Sequence, residues 1–457
     1  MEASASDDVD KLKSRFLSAW NNVKYSWVLK TRTYFRRNSP VFLLGKCYHF
    51  KLEVSNETFP NDLETKTEAN GEVVFGTVEE FRKDFISRVW LTYREDFPQL
   101  EGSTLTTDCG WGCTLRTGQM LLAQGLLVHF IGRDWLWPNA LDIYSSDVDF
   151  WSVSSARKLA PLEAAYVDHM SYGTNSSKSL HIIDCDEKNQ TEFYHRKIIS
   201  WFADHPLADF GIHPLIKFGK SSGKVAGDWY GPAIVSHILR KAIEESVDPE
   251  VQGITIYVAQ DCTIYNGDVY DKQNNSDSEK SVLILVPVRL GGERTNIEYF
   301  EFVKGILSLE YCIGIIGGRP KQSYYFVGFQ GFNSSRHKDM LRITFQCKVP
   351  VKASDMVYHR PLSYKCVLLS FSSFCCIFDV ACVFLQSFHC PSPKKMPFRK
   401  MDPSCTIGFY CRNAQDFVKV EEELTKVLKS SSKRNYPLFT FVNGHAQDFD
   451  FACSPMF

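Results

Sequence analysis

The sequence carries almost no net charge: 52 lysines and arginines stand against 53 aspartates and glutamates, a balance of −1 over 457 residues. Such a balance gives no general case for nucleic acid binding, which needs a basic surface against phosphates. No apolar core follows the opening Met1-Glu2-Ala3-Ser4, so no secretory leader is expected. No internal repeat is present, which excludes solenoid and propeller arrays. Fifteen cysteines in a chain without a leader are therefore expected to be reduced thiols of the cytoplasm, not a disulfide framework. Asn-x-Ser/Thr triplets such as Asn56-Glu57-Thr58 then carry no glycosylation message. What is present suffices for a core: 44% of residues are hydrophobic and 14% aromatic, against global disorder. The length suits two or three domains, or one core with insertions.

The most informative run is Thr107-Asp108-Cys109-Gly110-Trp111-Gly112-Cys113-Thr114-Leu115-Arg116-Thr117-Gly118-Gln119-Met120. A glycine-rich turn delivers Cys113 to the start of an apolar segment in which Leu115, Met120, Leu121, Gln124, Leu127 and Val128 keep the spacing of one helix face. At a helix N-terminus, unpaired N–H groups and the macrodipole favour an anion, and such settings lower a thiol pKa by several units in other proteins. The thiolate is the species that attacks carbonyls. Gly110 and Gly112 would let the backbone approach a substrate closely.

The segment Asp108–Met120 resembles the nucleophile motif of the autophagin family, autophagy cysteine proteases with a papain-like fold. Further segments agree in order: Val89–Arg94, Gly227-Asp228-Trp229-Tyr230-Gly231-Pro232, Val286–Gly291, Gly314–Gly318, Ser387-Phe388-His389-Cys390 and Met401–Ser404. The resemblance spans residues 10–330 and again 386–447, and is nearest to the C-type vertebrate paralogue. It implies an α+β, papain-like core with a small auxiliary region and insertions. It also implies a cytoplasmic thiol protease that cleaves ubiquitin-like autophagy modifiers after their C-terminal glycine, exposing it for conjugation to phosphatidylethanolamine. The same chemistry would release them from lipid. Partners would be the modifiers, free and lipid-conjugated, with transient contact to a membrane surface; no cofactor and no metal is expected. By resemblance Cys113 is the nucleophile, Tyr93 donates its hydroxyl to the oxyanion beside the Cys113 backbone N–H, and Trp229 lines and gates a narrow cleft.

Residues 1–40 read as a basic amphipathic extension: Val9, Leu12, Phe16, Ala19, Trp20, Val23 and Trp27 recur at helical spacing, and residues 11–40 contain no acid. Residues 41–330 read as the protease core, 331–385 as an apolar, cysteine-rich insert, 386–447 as the rest of the core and 448–457 as a tail. Within the core, residues 73–130 read as helix, turn and nucleophile helix. Tyr194–Phe202 and Pro232–Ile243 look helical, the second with proline in its first turn. Ile254–Ala259, Val282–Val288, Ile313–Gly318, Tyr324–Phe329, Thr406–Cys411 and Pro437–Val442 look like strands. Ser171–Gln190 and Asn266–Lys280 are polar and read as loops.

The chain also departs from the family. Autophagins carry Asp-Pro-His just after the strand corresponding to Tyr324–Gln330, and that motif is absent. The replacement offers His337 with Asp339, and Asp355 with His359, neither at Asp-x-His spacing; residues i and i+2 of a strand share a face. The catalytic aspartate and histidine are therefore unassigned. Asp402-Pro403-Ser404 matches a different family segment. The run Cys366–Leu385, with Asp379 as its one charge, reaches the length of a membrane span, but an aspartate inside it costs roughly 2.5–3.5 kcal/mol on insertion scales. The family's modifier-binding aromatic-x-x-aliphatic tail does not appear before Phe457. Three readings follow: an active protease with a substitute base, a member that binds the modifier without cleaving it, or a membrane-anchored product.

Overall fold

The computed structural model describes residues 35–36, 39–49, 76–141, 180–274, 279–331, 341–346, 351–352, 385–391, 393–430 and 437–450. For 180–188, 341–346, 351–352, 430 and 449–450 it gives the backbone alone. The N-terminal amphipathic pattern up to Trp27, the His337, Asp339, Asp355 and His359 candidates, and the run Cys366–Leu385 short of its last residue lie outside these residues. Among those described, no helix is long and apolar enough to cross a membrane.

In chain order the strands are β1 (Val41–Leu43), β2 (Lys46–Tyr48), β3 (Arg94–Glu95), β4 (Ile254–Val258), β5 (Thr263–Tyr265), β6 (Ser281–Arg289), β7 (Cys312–Arg319), β8 (Gln322–Gln330), β9 (Leu341–Gln346), β10 (Val351–Lys352), β11 (Lys394–Pro397), β12 (Ser404–Cys411) and β13 (Thr440–Val442). The helices are α1 (Val78–Ser87), α2 (Cys113–Ile131), α3 (Leu180–Trp201), α4 (Ile212–Gly219), α5 (Pro232–Glu245), α6 (Asn266–Asn274), α7 (Phe300–Leu307), α8 (Ala414–Ser430) and α9 (Gln447–Asp450). One sheet runs β11-β9-β8-β7-β12-β6-β4, with β1 and β2 attached through β8. All its neighbours are antiparallel except β4 with β6.

The sheet is apolar on both faces, as β6 shows: Leu283 and Leu285 join one core, Val282, Ile284 and Val286 the other. A strand with both faces covered reads as an unbroken hydrophobic run rather than an alternation. Against the first face lie α2 and α5; against the second lie α7 and α8. Helix α2 is the centre of the first layer, with every residue from Cys113 to Leu127 buried. The one-face pattern in the sequence understates this, since a helix apolar almost all round is an interior one.

Two loop expectations are overturned. Residues 180–190 belong to α3, a helix of 22 residues, because no glycine or proline interrupts Leu180–Trp201 and Ile198, Ile199 and Trp201 bury its end. Residues 266–274 form α6, burying Asn266, Val269 and Gln273. Here tertiary contacts override a weak local pattern: Asn266 Nδ2 donates to Glu421 Oε1 (2.9 Å) and to Asn443 Oδ1 (3.0 Å). The strand and remaining helix expectations agree with the structure, including Pro232 in the first turn of α5, except that of Pro437–Val442 only Thr440–Val442 is strand. Part of residues 331–385, expected as an insert, joins the fold: β9 pairs with β8 on one side and β11 on the other.

Beyond the far end of α2, Arg133 ties the layers together. It donates to both oxygens of buried Asp84 on α1 (2.8 Å each) and to the carbonyls of Leu43 (2.7 Å) and Leu44 (3.0 Å). Tyr48 donates its hydroxyl to the same carboxylate at 2.6 Å. Burial works to raise the Asp84 pKa, but the charges of Arg88 and Arg133 outweigh it and hold the carboxyl below its ordinary range. A carboxyl lowered in the folded state adds stability at neutral pH that is lost as pH falls through its folded pKa. Asp84→Asn should therefore cost about 3–5 kcal/mol at pH 7, the range for breaking a buried pair. The deficit relative to the parent should shrink as pH falls below the ordinary carboxylate range. Urea midpoints across pH check both statements; a deficit independent of pH would remove the ionic explanation.

Candidate active site

The approach to α2 is built by Thr107 and Asp108. The Thr107 hydroxyl donates to the Arg94 carbonyl (2.8 Å) and accepts from the Cys109 N–H (3.2 Å). The Asp108 carbonyl accepts the N–H groups of Trp111 (3.2 Å) and Gly112 (2.9 Å). Gly110 has φ +86°, a left-handed value that favours glycine. Gly112 has a different reason from the one expected: a Cβ there would lie 2.6 Å from Asp108 Cβ and Oδ2, so its space is filled by Asp108 and not by substrate.

Cys113 is the first residue of α2 and only 1% exposed. Its sulfur lies 3.9 Å from the Thr114 hydroxyl, either atom able to donate, and Tyr93 and the backbone N–H groups of Ser323 and Thr114 also favour its thiolate form. Ser323 stands near the start of β8, and its hydroxyl meets that of Thr117 at 3.0 Å. The sulfur therefore lies where α2, β8 and the segment carrying Tyr93 converge. Burial nevertheless outweighs these donors and raises the thiol pKa above its ordinary value, contrary to the lowering expected from a helix N-terminus. The cause is desolvation of the thiolate, which the donors oppose but do not overcome.

Beneath this point lies an ion-pair network withdrawn from water. Asp108 Oδ1 accepts the Arg94 N–H (2.7 Å) and Oδ2 accepts Arg116 Nε (2.7 Å). Arg116 Nη1 reaches Asp204 Oδ1 at 2.7 Å, and Arg94 Nε reaches Asp204 Oδ2 at 3.5 Å. All four side chains are 0% exposed. Burial disfavours a charged Arg116, yet Asp108 and Asp204 hold its pKa above the ordinary arginine value. Two positive and two negative groups leave the cluster neutral, the condition under which buried charge is tolerated.

The Ser387–Cys390 segment packs against residues on either side of Tyr93, namely Trp90 and Arg94. Arg94 Nη2 donates to the Ser387 carbonyl (3.2 Å), its guanidinium lies 4.7 Å from the Phe388 ring centroid, and the Trp90 N–H donates to the Phe388 carbonyl (2.7 Å). His389 is not poised as a base: Nδ1 contacts the Ile86 carbonyl (2.7 Å) and Nε2 contacts His195 Nε2 (3.0 Å). Asp402 is engaged locally, accepting the Ser404 N–H at 3.0 Å. Trp229 is half-buried with its ring against Gly231, directly before α5, and its indole N–H has no hydrogen-bond partner among the described residues. Among the described residues there is no cluster of three metal-ligating side chains.

After β8 the chain continues into β9, which pairs back onto it. Its end brings Phe345 opposite Tyr325 and Gln346 opposite Tyr324, next to Ser323. Neither Phe345 nor Gln346 can act as a base at neutral pH.

The profile of the peptidase C54 catalytic domain matches residues 78–423. The chain belongs to the peptidase C54 family. Among relatives, Cysteine protease ATG4C of Xenopus tropicalis is 65% identical over 459 residues, covering 100% of this chain and 94% of that one. Cysteine protease ATG4C of Homo sapiens is 59% identical over 462 residues, covering 99% and 93%. Cysteine protease atg4da of Danio rerio is 43% identical over 460 residues, covering 96% and 82%. The peptidase C54 match contains Cys113, Tyr93 and Trp229, together with Asp108, Arg116 and Asp204, to which the sequence reading gave no role. Asp108 and Arg116 did offer a signal, as charges inside or beside an apolar helix; Asp204, in a separate stretch, offered none.

The raised thiol pKa makes a direct prediction. Alkylation of Cys113 by iodoacetamide should climb about tenfold per pH unit through neutrality, following the thiolate fraction. Peptide mass spectrometry reads the rate at this residue. A plateau already reached at pH 6 would mean a preformed thiolate and an unrecognised cationic partner.

Proposed function

We propose that the chain is an autophagy thiol protease acting on ubiquitin-like modifiers, cleaving after their C-terminal glycine and releasing them from phosphatidylethanolamine. The observation that carries this reading is Cys113 at the head of α2, inside the peptidase C54 match, where Tyr93 and the backbone N–H groups of Ser323 and Thr114 favour its thiolate. In the reaction, Cys113 Sγ attacks the glycine carbonyl and the thiol proton passes to the leaving amine. Tyr93 and the Cys113 N–H bind the oxyanion, a donor of this kind being worth about 2.7–4 kcal/mol in the transition state. Collapse gives a thioester, and water hydrolyses it to a free glycine carboxylate and the restored thiol. Trp229 closes a cleft too narrow for side chains, which suits a glycine-ended tail. Contact with a membrane surface would be brief, at the lipid-conjugated substrate, and the site would be cytoplasmic.

A second reading is favoured by the raised thiol pKa and by the lack of any Asp-x-His spacing in residues 331–385. Without a base the chain would bind the modifier and shield its tail. Loss of a nucleophile–base unit costs as much as about 10⁶ in turnover in a related triad. Incubation with a modifier precursor bearing a C-terminal extension separates the two. The protease reading expects cleavage after the glycine, abolished by Cys113→Ser and accelerating with pH as the thiolate forms. Saturable binding with no cleavage at any pH contradicts it and establishes the binding reading.

A further inference from the structure

We propose that Asp108 is the positioning residue of this site, one carboxylate fixing the separation between the Tyr93 hydroxyl and the Cys113 sulfur by gripping the elements that carry each of them. Oδ1 holds the N–H of Arg94, the residue after Tyr93, at 2.7 Å. Oδ2 holds Arg116, in the first turn of the helix begun by Cys113, at 2.7 Å. The Arg94 carbonyl is held by the same loop, through the Thr107 hydroxyl (2.8 Å) and the Asp108 N–H (3.3 Å). Both peptide groups of the residue following Tyr93 are therefore fixed by residues 107–108. On the helix side the Asp108 side chain also fills the space left by Gly112, immediately before Cys113.

The chemistry requires a carboxylate. An ionised carboxylate only accepts, and can take a backbone N–H on one oxygen and a guanidinium N–H on the other. An asparagine can keep one of these bonds, but its NH₂ then faces a donor at the second. Asp204 completes the charge balance by pairing with the same two arginines, but it grips neither the Arg94 backbone nor Gly112. The other two members serve the clamp: Arg116 is the handle on the helix, and Arg94 is the handle on the strand. The catalytic meaning of this clamp rests on the reading of Cys113 as nucleophile; the clamp itself does not.

The test therefore reads thiol chemistry rather than cleavage. The pH profile of iodoacetamide alkylation at Cys113 is measured in the parent, Asp108→Asn, Tyr93→Phe and the double variant, with thermal melting recorded alongside. Tyr93→Phe should slow alkylation about tenfold at fixed pH by removing one hydrogen bond to a charged group. Asp108→Asn should move the profile in the same direction, and the double variant should move no further than Tyr93→Phe alone, because the two changes remove one interaction. Should Asp108→Asn not fold, Gly112→Ala takes its place, since its methyl would push against the Asp108 carboxylate from 2.6 Å. Shifts that add in the double variant overturn the proposal. So does a lowered melting temperature with an unmoved alkylation profile, which would make Asp108 a structural residue only. A chain that binds modifiers without cutting them returns the same profiles, so failure of the protease reading and failure of the clamp remain distinguishable.

Discussion

Two arginines and two aspartates, all withdrawn from water, hold together the parts of the chain that meet at Cys113. Arg94 belongs to the strand after Tyr93, Asp108 to the turn before the nucleophile helix, Arg116 to that helix and Asp204 to the turn after α3. No one of these segments could place its charge in the interior alone, because an unpaired buried ion costs several kcal/mol. Each charge therefore demands the others, and the site is assembled as a consequence of satisfying them. The Ser387–Phe388 contacts with Arg94 extend the same constraint to residues 385–391.

The parts legible in the sequence were those set by local rules. A glycine turn into an apolar period gave α2 and its first residue, β-branched apolar runs gave β4 and β6, and an aromatic run gave β8. What local rules could not supply was tertiary. α3 was hidden by polar residues at its start, although Leu180–Trp201 contains no helix breaker. α6 depends on partners from residues 421 and 443. The reason for Gly112 depends on where the Asp108 side chain goes, and no spacing announces Asp204 as the partner of Arg116.

The thiol gives the clearest case of two physical effects in competition. The helix N-terminus argues for a thiolate, whereas burial of a 1%-exposed sulfur argues for a thiol, and burial is the larger effect here. A cysteine protease resolves that conflict with a base. In this chain the strand that arrives beside Ser323 ends in Phe345 and Gln346. The ion-pair network beneath the sulfur rests on residues 94, 108, 116 and 204, whereas the sheet also takes in β9, from residues 341–346.

Hydrogen exchange followed by mass spectrometry, comparing the parent with Arg116→Met, tests this dependence most directly. If the buried network holds the site, residues 89–94, 107–113 and 385–391 should lose protection together, although only a helical residue was changed. Loss of protection confined to the first turns of α2, with the other two segments unchanged, would contradict the account.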